Sequence, residues 1–113
     1  MKIDKIRTLS GPNFYSHAPV LLMRLDLEAL NGKESREVAG FNDRLLALLP
    51  GIGHHHCSKG HAGGFVERLR EGTYFGHVVE HVALELTVLA DIATTHGKTR
   101  HSGEPGVYNV VIE

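Results

Sequence analysis

At 113 residues the chain has the length of one ordinary domain, and its 42% hydrophobic content supports a single core rather than two. Twelve basic against thirteen acidic side chains leave a formal charge of -1, which excludes a broad electrostatic pull toward nucleic acid or a membrane surface. Its apolar runs stop well short of the roughly 20 residues of a membrane span, Met1-Lys2-Ile3-Asp4-Lys5 lacks a signal-peptide core, and the single Cys57 leaves no internal disulfide. A soluble, cytoplasmic chain is expected.

From Lys2 to Leu9, apolar Ile3 alternates with charged neighbours until the turn cluster Gly11-Pro12-Asn13, which predicts a first strand. Val20 to Glu28 then alternates Met23, Leu25 and Leu27 with Arg24, Asp26 and Glu28, the pattern of a half-buried second strand. After Asn31-Gly32, apolar residues at helical spacing from Phe41 to Leu49 predict a short helix that Pro50-Gly51 stops. Glycine-rich Gly51 to Gly64, carrying His54, His55, His56, Cys57 and His61, reads as an irregular loop. A second short helix through Phe65, Val66 and Leu69 ends at Gly72, and Thr73 is the expected N-cap of the longest helix, which runs to about Ile92. Thr94 to Gly106 reads as a polar connection and Val107 to Ile112 as a last strand. The expected fold class is α+β: one domain spanning 1-113, with a small sheet of three or more strands and helices packed on one face.

The long helix carries His77-Val78-Val79-Glu80-His81. At about 100° per residue the two imidazoles lie about 40° apart and Glu80 about 60° to the other side of His77, so one helical face offers two zinc ligands and a carboxylate base. This is the H-x-x-E-H order of the inverzincins. Glu85 lies about 12 Å along the helix from His77, too far to share one ion comfortably; four residues after His81, it is placed to orient that ring. The third ligand must come from elsewhere. His55 is the leading candidate and Cys57 the alternative, with Glu67 and Glu104 as further donors. A Cys57 thiolate favours a tight structural site, whereas histidine and carboxylate ligands with water suit hydrolysis.

Plainer readings stand beside these. Histidines on a helix often only bond backbone carbonyls, His54-His55-His56 can be a solvated surface run, and Cys57 can be a small packed residue. Gly63-Gly64 precedes a helix but lacks the other residues of a phosphate loop, so no nucleotide is expected. Arg68, Arg70, Lys98 and Arg100 are solvated charges unless the fold converges them.

An extended, ordered set of residues resembles the N-terminal domain of cyanophycin synthetases. It comprises Gly11-Pro12-Asn13, Met23 to Leu27, His55-x-Cys57-Ser58, Gly63 to Thr73, Gly76-His77-x-x-Glu80-His81-Val82-Ala83-Leu84-Glu85-Leu86, Lys98-Thr99-Arg100 and Glu104 to Tyr108, and it covers nearly the whole chain. Thr87, where the family pattern has glutamine, Asp91, where it has glycine, and the additional His56 and His61 depart from it.

The family's enzymes build cyanophycin, an arginine-bearing polyaspartate, with ATP-grasp and Mur-ligase-like domains that nothing in this chain resembles. The resemblance therefore implies a fragment or stand-alone relative without ATP-dependent ligase activity. In the family the N-terminal domain holds polymer and, in some members, is a metallopeptidase-like hydrolase that cuts primers. It implies a zinc-dependent hydrolase of cyanophycin or a related peptide, with His77, His81 and His55 as ligands, Glu80 as base, and Arg68, Arg70, Lys98 and Arg100 meeting polymer carboxylates. The alternative is a non-catalytic module that binds polymer or docks on synthetase ligase domains. The edge of the terminal strand Val107 to Ile112 also suggests a homodimer.

Overall fold

A computed structural model describes residues 1-92 and 96-113, the side chain of Ser58 excepted. Four antiparallel strands, β1 (Lys2–Leu9), β2 (Val20–Asp26), β3 (Gly97–His101) and β4 (Val107–Ile112), form one sheet in the order β1-β2-β4-β3. Three α-helices stand among the described residues: α1 (Phe41–Leu48), α2 (Gly64–Glu71) and α3 (Phe75–Leu89). The fold is α+β.

Strand alternation sorts the core. Met23 faces Val110 and Leu25 faces Tyr108 across the β2-β4 ladder, and this side of the sheet packs on Phe65, Leu69, Phe75 and Val78 of the helices. α3 lies against β3 and β4. On the opposite side Val20, Leu22 and Val111 form a smaller cluster with Leu9 and Tyr15. The main core is therefore the sheet-helix interface.

Two sequence expectations change here. The polar connection expected over Thr94 to Gly106 contains β3, whose Gly-Lys-Thr-Arg-His sequence lacks an apolar face because it is an edge strand; positions 93-95 of that connection lie outside the described residues. The terminal strand, expected to present a free edge, is instead bonded on both sides, to β2 and to β3. The edges belong to β1 and β3. Smaller shifts move the end of β2 back to Asp26 and that of α3 to Leu89, and a 3-10 turn (Pro50–His54) orders part of the expected loop.

α3 starts without the N-cap that the sequence suggests. Tyr74 occupies that position with no side-chain cap, and Thr73 turns its hydroxyl to His77 Nδ1, 3.0 Å away. Thr73 is held by Ser35, whose backbone N-H donates to the Thr73 carbonyl at 2.8 Å while its Oγ accepts from the Thr73 N-H at 3.2 Å. Ser35 Oγ also donates to the Leu69 carbonyl at 3.0 Å. One buried serine thus ties the end of α2 to the start of α3.

Leu69 is fully buried, whereas Leu48 is 78% exposed. Leu69→Ala is expected to cost about 2-5 kcal/mol of folding stability through lost burial and the cavity left behind, and Leu48→Ala to stay within about 0.5 kcal/mol. Urea denaturation midpoints measure both.

Candidate metal centre

Helical spacing puts His77 and His81 on one face of α3, and the loop before α2 brings Cys57 to meet them. Cys57 Sγ lies 3.2 Å from His77 Nε2, and His81 Nε2 lies 3.1 Å from His77 Nε2. One donor atom from each of Cys57, His77 and His81 falls within 4.8 Å of the others, a group able to hold a metal ion. The donor types, one sulfur and two imidazole nitrogens, suit zinc.

The loop reaches this position through two close approaches. A Cβ at Gly64 would collide with the His56 carbonyl, so the loop passes directly over the first turn of α2. Cys57 itself takes φ 62°, a left-handed conformation that few non-glycine residues adopt and that turns the local chain sharply. Phe65, fully buried, stacks under His81 with ring centroids 3.8 Å apart and planes 13° apart.

His55, the leading sequence candidate for third ligand, stands on the other side of His81. Its Nδ1 is 2.9 Å from His81 Nδ1, and its Nε2 is 3.4 Å from Glu85 Oε1. Cys57 is thus the loop residue that joins the two helical histidines in the donor group, and the His55 ring lies between His81 and Glu85. The remaining candidate ligands are engaged elsewhere, Glu67 with His61 at 3.4 Å and Glu104 with Arg24 at 2.7 Å.

Beside the donor group opens a cavity of about 590 Å³ lined by His56, Cys57, Arg68, Tyr74, His77, Glu80, His81 and the strand residues Gly97 to Arg100 among others. Glu80 is buried and accepts a 2.6 Å hydrogen bond from Thr99 Oγ1. Gly97 leaves room for it, since a Cβ there would lie 2.9 Å from Glu80 Cγ. Arg68, Lys98 and Arg100 share the cavity, whereas Arg70 lines a separate one with Arg36 and Asn42. Arg68 Nε is buried with no hydrogen-bond partner among the described residues. Thr73, Thr99, Phe65 and Gly97 carry no chemical motif and escape a reading of the sequence; only their nearness to the H-x-x-E-H helix and to β3 marks them.

Burial sets the protonation of the centre. It holds His77 down to about 4, helped by the Arg68 charge, and His81 down to about 3, helped by His77 and His55. Both rings are neutral near pH 7, the form that ligates metals. Burial pushes Glu80 above the usual carboxylate range against the opposing Thr99 hydrogen bond, the direction expected for a base working near neutrality.

These features define an α+β domain with a thiol and two imidazoles gathered at the wall of a cation-rimmed cavity. Residues 22–113 match the family of the cyanophycin synthase-like N-terminal domain. The chain is 53% identical over 115 residues to the cyanophycin synthetase of Crocosphaera subtropica, and 50% identical over 115 residues to those of Synechocystis sp. and Geminocystis herdmanii. Each alignment takes in 100% of this chain and 13% of the relative. The chain belongs to the cyanophycin synthase-like N-terminal domain family.

The two depressed histidine values carry a stability consequence in metal-free protein. Below the ordinary value of 6.5 the unfolded chain protonates both rings, while the folded chain resists until about 4 and 3, so each histidine removes stability as pH falls through that window. Glu80 acts oppositely, because its raised value makes the folded state bind its proton first and adds stability as pH falls. Two groups against one give an expected net fall in the urea midpoint from pH 6.5 toward 4 in the presence of chelator, with a shallower slope in His81→Gln. A flat wild-type profile would contradict the neutral burial of these rings.

Proposed function

We propose that this domain is a zinc-dependent hydrolase that cleaves amide bonds of cyanophycin or a related peptide. The observation that supports it most is the meeting of Cys57, His77 and His81 at the wall of the cavity that Glu80 also lines. Membership in a family named for cyanophycin synthase supports the choice of cyanophycin as the polymer concerned.

The donor atoms fit zinc in type and spacing, and Cys57, His77 and His81 are the residues that would hold it. When bound, zinc lowers the pKa of a water and polarises the scissile carbonyl. Glu80 takes the proton released as the water oxygen bonds to the carbonyl carbon, and returns it to the amine nitrogen as the C-N bond breaks. The products are one carboxylic acid and one amine, so the reaction needs no nucleotide. Thr99 holds one Glu80 oxygen and leaves the other for this proton transfer. Arg68, Lys98 and Arg100 line the cavity and would receive carboxylates of the polymer through charge-assisted bonds stronger than neutral ones.

Glu80→Gln, purified with the same metal content as wild type, is expected to lose about 100- to 10,000-fold in polymer cleavage. His81→Ala is expected to lose both metal and cleavage. A wild-type rate in Glu80→Gln would remove Glu80 from the role of base. Zinc bound by wild type together with polymer binding but no turnover would instead make the ion structural and the domain a holding module.

A further inference from the structure

His55, Thr73 and Glu85 have no part in the proton transfers described above, yet all three are packed against the donor group. His55 and Glu85 side chains are only 16% and 8% exposed, and Thr73 is buried. The contacts run in sequence: Thr73 Oγ1 to His77 Nδ1 at 3.0 Å, His77 Nε2 to His81 Nε2 at 3.1 Å, His81 Nδ1 to His55 Nδ1 at 2.9 Å, and His55 Nε2 to Glu85 Oε1 at 3.4 Å.

A neutral imidazole has one N-H and one bare nitrogen, and a carboxylate only accepts. Glu85 at the end of the line therefore places the His55 proton on Nε2. His55 Nδ1 is then an acceptor, so His81 carries its proton on Nδ1 and turns a bare Nε2 toward His77 and Cys57. His77 in turn donates from Nε2 and accepts at Nδ1 from the Thr73 hydroxyl. We infer that these five side chains form a one-way chain of hydrogen bonds that fixes His81 in its ligand tautomer before any ion arrives, with His55 as a positioning residue.

The surroundings hold both ends of the chain in place. The His55 backbone is pinned on each side, its N-H donating to Ile52 and its carbonyl accepting from Phe65, each at 3.1 Å. A Cβ at Gly51 would collide with Glu85 Oε2, so the glycine lets the loop close over that carboxylate. An ion entering the centre needs the bare nitrogen of His77 as well. Only that ring has to change tautomer, and Thr73 permits it because a hydroxyl can donate or accept.

This inference deepens the hydrolase reading and takes its purpose from it, but the hydrogen-bond pattern is measurable without metal. Two-bond nitrogen-proton correlation spectra of metal-free, histidine-labelled protein near neutral pH are expected to report Nδ1-H for His81 and Nε2-H for His55 and His77. Added zinc is expected to move His77 alone to Nδ1-H. His55→Phe keeps the ring volume and removes both nitrogens. It is expected to spread His81 over two tautomers and to weaken zinc binding about 10- to 100-fold in chelator competition, with the cobalt-substituted spectrum showing an unchanged ligand number. Nε2-H on His81 in wild type overturns the inference, and so does loss of one ligand from the cobalt spectrum of His55→Phe, which would make His55 a ligand. The wild-type spectrum decides even where the variant fails to fold. Wild type with the expected tautomers but no affinity for zinc would sink the metal reading and leave the hydrogen-bond chain standing.

Discussion

Every nitrogen of a buried imidazole needs a partner, because an unpaired polar atom in the interior costs roughly the stability of a hydrogen bond or more. Three imidazoles are packed together in this domain, and much of the local architecture follows from satisfying them. Phe65 floors His81, Thr73 meets His77, and Glu85 closes the far side behind His55. The short ties around them have the same consequence: Ser35 fixes where Thr73 sits, and the tight approach at Gly51 brings the loop onto Glu85. A helix bearing two histidines becomes an ordered centre only through these neighbours.

The sheet contributes the other half of the site. Thr99 and Gly97 alternate with Lys98 and Arg100 along β3, so one face of the strand carries a hydroxyl and an open space against α3. The charged residues belong to the opposite register, where Lys98 reaches the Tyr15 carbonyl at 3.1 Å. Because β3 is an edge strand, those long side chains also border the cavity. A single five-residue strand thereby supports the carboxylate and supplies two of the three cations that line the cavity, Arg68 of α2 being the third.

What the sequence reveals of this arrangement divides along a physical line. Local periodicity reports which residues share an element face, so α3 with its His77-Glu80-His81 stripe, the strands β1, β2 and β4, and the α+β class are all legible. It does not report how a loop turns. His55 and Cys57 are two residues apart, and the choice of which joins His77 rests on a positive φ at Cys57 and on the passage of the chain over Gly64. Thr73 misleads for a related reason: its position before a helix matches an N-cap, but a competing acceptor or donor at His77 claims the hydroxyl. β3 is hidden because an edge strand need not bury alternate residues.

The sulfur donor bears on what such a centre is for. A thiolate in a fully closed, four-ligand site belongs to structural zinc, whereas catalytic zinc keeps three protein ligands and leaves one position for water. Among the described residues the donor group comprises three side chains, and the cavity beside it is also lined by a buried carboxylate and three cations. Burial raises the proton affinity of Glu80 and destabilises the fold at neutral pH. Under the hydrolase reading proposed above that cost has a use, because a carboxylate of raised proton affinity is suited to hold the proton of an attacking water.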